Sequence, residues 1–184
     1  MIYYAKSTNG FYDDSIHGAS MPADAVEITV DTHAALLTAQ SEGKAIIADA
    51  NGNPIAVDPI TLLTLAQAQA QQTAKVSAAC ASALTAGFTS SALGSAHTYG
   101  SNDNDQRNLL NAAMAAQGQS STWTTQLWCA NSGAWSLATH TAAEVQQVNA
   151  DWLTFRLSQQ QKCANLTAEI SSATTVTAVL AIGW

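Results

Sequence analysis

The chain has 184 residues, 47% of them hydrophobic, 10% charged and 7% aromatic, and thirteen Asp and Glu against six Lys and Arg give a net charge of −7. That length builds one generous domain or two small ones, and the apolar fraction is that of a globular chain rather than a disordered one. Six scattered basic residues leave no electrostatic footprint for a nucleic-acid backbone or an anionic membrane, so neither is expected as a partner. The charge is unevenly placed. Residues 1–58 hold Lys6 and Lys44 against eight carboxylates, a net −6, whereas residues 59–184 come to −1.

From the N-terminus, Ile2 to Ala5 is β-prone, Ser7-Thr-Asn-Gly10 is turn chemistry and Phe11-Tyr12 starts a second extended piece, which predicts a hairpin. Pro22 interrupts the chain before an extended stretch from Ala25 to Thr29. Asp31 stands where a helix cap belongs, Leu36 and Leu37 give a short helix its buried side, and Gly43 closes it. Ala45 to Ala48 and Ile55 to Val57 then flank Asp49-Ala-Asn-Gly-Asn-Pro54, a second predicted hairpin.

Pro59 to Gly87 has no internal Gly or Pro. With Asp58 as cap, Pro59 at the first helical position and Gly87 as terminator, it predicts one uninterrupted helix. Leu63, Ala66, Ala70, Thr73, Ser77, Cys80 and Leu84 recur at the 3.5-residue period of a coiled-coil seam, which points to a connecting or self-associating helix. Beyond it, two short strands are expected across Phe88 to Gly100, a helix through Leu109 and Met114 capped from Asn102 to Asp105, and a hairpin of Trp123–Cys129 with Trp135–Thr139. Thr141-Ala-Ala-Glu144 is a capping box. Val145, Val148, Trp152, Phe155, Gln159, Cys163, Leu166 and Ile170 behind it define an amphipathic helix. The expected organisation is α+β: a small α+β module over 1–58, a long Ala-rich connecting helix over 59–87, and a mainly helical domain with short β-hairpins over 88–184.

Chemistry finds little support. The sequence contains no phosphate-binding glycine loop, nucleophile elbow, zinc-protease helix or calcium loop. The strongest catalytic set is Cys129, Asn131 and His140, the ingredients of acyl transfer, yet all three sit on one apparent hairpin. His17, His33, His97 and His140 are scattered, and Asp103 with Asp105 reads as helix capping. No cofactor, metal or catalytic role is expected, and a cell-wall or lysis enzyme is the least favoured alternative. Cys80, Cys129 and Cys163 are widely spaced and read as reduced. The opening MIYYAKSTNG lacks the charged-then-apolar pattern of a secretory signal, so action in the cytoplasm is expected.

The order of the motifs carries more. MIYYAKSTNGFYDDSIHG, MPADAVEIT and IIADANGNPIAVDP resemble the N-terminal region of the tail fibre assembly chaperones of bacteriophages and phage-tail-like bacteriocins, over about residues 1–59. Gly87-Phe88, Ala92-Leu93-Gly94, Tyr99, Asp105-Gln106, Asn108-Leu109, Trp128, Trp135, His140 and Ile182-Gly183-Trp184 resemble a second domain, of uncharacterised function, that accompanies phage tail proteins. The resemblance implies a protein of the host cytoplasm that helps a trimeric tail fibre to fold by holding its distal, C-terminal, receptor-binding end. It also implies that such a protein is either released or retained. Tyr3, Tyr4, Phe11, Tyr12, Ile55 and Val57 are the expected contacts, with self-association through residues 59–87. The alternative is a permanent subunit of the fibre tip whose exposed aromatics meet the bacterial surface.

Overall fold

The computed structural model describes residues 1–184 and is α+β, as expected. It divides into two compact units, Met1–Thr64 and Leu65–Trp184. No helix in either is long and apolar enough to cross a membrane.

In the first unit the predicted opening hairpin is present as β1 (Ile2–Ala5) and β2 (Gly10–Asp13). A single helical turn, α1 (Asp14–His17), follows, and β3 (Ala25–Ile28) pairs with the other side of β1 to give an antiparallel sheet of order β2-β1-β3. Helix α2 (Val30–Ser41) is capped by the Thr29 hydroxyl, which accepts the Thr32 N–H, and not by Asp31, which lies in the first turn. Adjacent helical residues point about 100° apart, so only one of two consecutive leucines can enter the core. Leu36 does so, whereas Leu37 is 43% exposed. Strands β4 (Ala45–Ala48) and β5 (Pro54–Val57) form the second hairpin, and the Asp49 carboxylate holds its turn by accepting the N–H groups of Asn51 and Asn53, each at 2.8 Å. Tyr4, Leu36 and Ile46 centre the core of this unit.

Asp58 and Pro59 begin a helical segment as expected, but only a 3₁₀ turn, Pro59–Leu62. The chain extends at Leu63, and α3 proper is Leu65–Thr85. Pro59 to Leu62 has no buried residue, and a turn that places no apolar side chain in a core has little beyond weak local propensity to propagate it. The buried stripe of α3 shares Cys80 with the expected seam and otherwise differs. Ala66, Ala70 and Ser77 face solvent, while Ala68, Gln72 and Val76 are buried.

The second unit continues with β6 (Phe88–Ser90), β7 (His97–Tyr99), α4 (Asp103–Ala115), β8 (Thr124–Asn131), β9 (Ala134–Thr141), α5 (Ala142–Ser172) and α6 (Val176–Ala181). Instead of separate short hairpins, the four strands form one antiparallel sheet, β6-β7-β8-β9, because Thr98 and Tyr99 pair with Ala130 and Cys129. Phe88, Tyr99, Leu109, Cys129, Val148 and Trp152 join this sheet to α4 and α5 in one core. Ala68, Val76, Ile170 and Val179 join α3, α5 and α6 in another. Gln69 donates to the carbonyls of Ile170, Ser171 and Ala173, satisfying the end of α5. Gln72, also on α3, donates to the Ile182 carbonyl just past α6.

Candidate functional site

The alternation of a strand sends neighbouring side chains to opposite faces. It therefore splits the aromatic pairs of the opening hairpin. Tyr4 lies directly opposite Phe11 and Val26 on the core face, whereas Tyr3 lies opposite Tyr12 and Glu27 on the outer face. Tyr4 is 1% exposed, which corrects its expected role as a contact residue: this small core needs a large ring, and the Tyr4 hydroxyl is held by the Asn9 side chain. Phe11 is partly buried against Tyr4 and His33. Tyr3 and Tyr12 remain, half-buried and side by side. The Tyr12 hydroxyl donates to Thr8 at 2.9 Å and its ring meets His17 edge-on, while desolvation and the Glu27 carboxylate hold the Tyr3 phenol above its ordinary value. Ile55 is exposed and Val57 half-buried; both are two residues apart on β5, on one face of the other hairpin. The outer face is acidic as well as aromatic.

The catalytic trio is not assembled. Cys129 and His140 point into the core from β8 and β9, and Asn131 sits exposed at the far end of β8. His140 Nδ1 is 2.9 Å from the Ala138 carbonyl, to which it must donate, so Nε2 accepts from the Tyr99 hydroxyl at 2.8 Å. Both ring nitrogens are thus spent, Nδ1 within β9 and Nε2 in a buried bond between β9 and β7. Burial raises the Cys129 thiol and, chiefly, the Tyr99 phenol above their ordinary values, which disfavours thiolate. These three side chains are cement for the sheet. Asp105 completes a capping box with Asn102, the role expected of it. No group of three or more His, Cys, Asp or Glu is placed to hold a metal ion.

A second aromatic face was not expected from the sequence. Trp128 stands opposite Leu137 and Ala130 opposite Trp135, all on the face of β8–β9 turned away from the core. Trp128 and Leu137 are each 56% exposed and Trp135 46%. The letters gave no signal for it: Leu127-Trp128-Cys129 is an unbroken apolar run, and the alternation in Trp135-Ser136-Leu137 would by itself put the two large side chains in the core.

Comparison with known proteins agrees with the organisation of the second unit. A family model described as a domain of unknown function (DUF4376) matches residues 67–183. The probable tail fiber assembly protein of Shigella phage SfV is 43% identical over 56 residues, 30% of this chain and 34% of that protein. The matched stretch is thus about a third of the length of that relative. No solved structure matches the chain. Covering α3 through the residues after α6, the family match spans well over half the sequence, and the chain belongs to the DUF4376 family.

Proposed function

We propose that this protein assists assembly of a phage tail fibre by covering fibre surface until the fibre has trimerised, with no bond made or broken. The observation that carries the reading is the 43% identity to the probable tail fiber assembly protein. The outer face of β2-β1-β3 supports it, presenting Tyr3 and Tyr12 beside Glu27 in a unit of net charge −6. Half-buried tyrosines supply contact area at low entropic cost, and an acidic surround favours a basic client patch. Ile55 and Val57 extend the apolar contact from the second hairpin. The client is the C-terminal, receptor-binding end of the fibre chains that go on to form the trimer, and the encounter takes place in the host cytoplasm.

A fibre tip is rich in slow, non-local β pairing, and its unpaired edges aggregate unless masked. Differential affinity for the unassembled fibre suffices for such masking and requires no nucleotide. The test is co-expression of the fibre with the full chain, with a chain starting at Leu65, and with a Tyr3→Ser/Tyr12→Ser variant. Soluble trimer is expected with the full chain and severely reduced with the other two. Normal trimer yield in the absence of residues 1–64 removes the N-terminal contact, and normal yield without the protein removes the function.

A further inference from the structure

Two open grooves in the second unit share Gly100, Asp105 and Trp128 and so form one trough. One part, about 480 Å³, runs between α4 and β8 past Asn108, Asn111 and Gln126; the other, about 600 Å³, runs past Asn102 and Trp135. We propose that this trough binds a neutral carbohydrate chain, its sugar rings stacked on Trp128 and Trp135 and its hydroxyl groups held by Asp105, Asn108, Asn111 and Gln126. The site stands independently of the fibre-assembly reading.

Three observations carry it. First, Trp128 and Trp135 are roughly half exposed, neither packs on another aromatic ring, and strand alternation sets them diagonally on one face. Sugar rings present a C–H face that stacks on indole, while their rims need both donors and acceptors. Second, the trough supplies that rim chemistry. Asp105, Asn108 and Asn111 follow one another at spacings of three along α4, on the side facing Gln126 and Trp128. The amides of Asn108, Asn111 and Gln126 make no hydrogen bond within the chain. Each offers two donors and a carbonyl acceptor, which matches hydroxyl groups better than it matches an apolar helix. The carboxylate is preset: Asp105 Oδ2 accepts the Asn102 N–H at 3.2 Å, which leaves Oδ1 for a ligand.

Third, the charge of the site selects. Neither part of the trough is lined by Lys or Arg, and Asp105 is the one carboxylate. An anionic glycan or a nucleic acid meets a negative charge with no compensating cation, whereas a neutral chain loses nothing. Gly100 keeps the arrangement possible, since a Cβ there would lie 2.3 Å from Asp105 Oδ2. An open trough exchanges solvent freely, so affinity is modest, with a Kd on the order of 1 mM per short oligosaccharide and tighter binding on repeating polymer.

The experiment is titration of the intact chain with maltohexaose, cellohexaose and N-acetylchitohexaose, and with polygalacturonate as the anionic probe, read by tryptophan fluorescence and confirmed by calorimetry. A saturable response to at least one neutral oligosaccharide is expected, with none to polygalacturonate. Trp128→Ala is expected to weaken it at least tenfold, and Asn108→Ala/Asn111→Ala to do so without touching an indole. Both changes are on the surface, and circular dichroism checks that the fold persists. Absence of a saturable response to all three neutral probes at about 10 mM overturns the proposal, as does binding that survives Trp128→Ala/Trp135→Ala. If the same variants instead lower soluble fibre trimer while no oligosaccharide binds, the trough is a protein-docking face and the proposal fails. Loss of sugar binding with normal fibre trimer separates this site from the assembly function.

Discussion

The two aromatic faces of the protein, one in each unit, obey the same rule of strand alternation and end in different chemistry. Tyr12 is a tethered ring, its hydroxyl donated to Thr8 and its ring in edge contact with His17, and Tyr3 beside it lies opposite the Glu27 carboxylate. Trp128 and Trp135 are untethered, and the amides of Asn108, Asn111 and Gln126 beside Trp128 have no partner in the chain. An acidic face of half-buried phenols suits the surface of a basic protein, and a trough of free indoles and amides with one carboxylate and no cation suits a neutral polyhydroxylated ligand. The lesson is that exposed aromatics gain their meaning from their neighbours.

The sharpest way to break the first face apart from its own core is to compare adjacent residues. Tyr4→Ala removes the largest fully buried side chain of the molecule, and is expected to cost about 3–5 kcal/mol, enough to unfold a unit of this size. Tyr3→Ala, one residue away on the outer face, is expected to stay within about 0.5 kcal/mol. Urea unfolding followed by hydrogen exchange in β1–β3 measures both, with exchange in α5 as the internal reference. Equal effects at the two positions would mean that the alternation has been misassigned.

That comparison also shows what the sequence made legible. Capping residues, turns and the amphipathic α5 stand in the order of the letters, because each rests on interactions between near neighbours. Thr141 with Glu144, the Asp49 turn and the stripe from Val145 to Ile170 are local in this sense. Side choice in a two-residue aromatic run is not local, and Tyr3-Tyr4 offered no reason to prefer either for the core until β3 was known to pair with β1. Helix α3 failed differently. With Ala, Ser and Thr around its whole circumference the apolar period is degenerate, so Ala66, Ala70 and Ser77 read as well as Ala68 and Val76, and only Cys80 fits both stripes. Gln72 sits in the true stripe and looks like surface, yet it is buried because its amide holds the Ile182 carbonyl across 110 residues. The trough was invisible for the same reason: α4 and β8 meet only through the tertiary fold.

A smaller effect sharpens the second face. In Gly100→Ala the new Cβ collides with Asp105 Oδ2, and the carboxylate must rotate away from the Asn102 N–H, dismantling one half of the α4 capping box. The expected cost is about 1 kcal/mol in thermal or urea unfolding. Asp105→Ala alone incurs a similar loss, but the double variant should cost little more than either single change, since the clash and the cap involve the same atoms. Additive losses would show that Gly100 is needed for its backbone rather than for room.

Acid sets the two units against each other most gently. In the first, Asp13, Asp24 and Asp49 are each held below the ordinary value of 3.8, chiefly by hydrogen bonds from Ser15, Ser7 and Asn53 respectively. In the second, Glu144 is held below 4.5 by the backbone and hydroxyl of Thr141. A carboxylate whose folded value is depressed adds stability that is present above its unfolded value and is lost as pH falls through the folded one. Between pH 7 and 5 neither unit should respond through these groups. Below the ordinary values the first unit loses three such contributions and the second loses one, so β1–β5 should lose exchange protection before α5 does. Because these shifts come chiefly from direct hydrogen bonds, which mobile ions do not screen, repeating the acid series at high ionic strength should leave the order of the two units unchanged. Loss of protection in α5 first would place the acid-sensitive contacts outside these carboxylates.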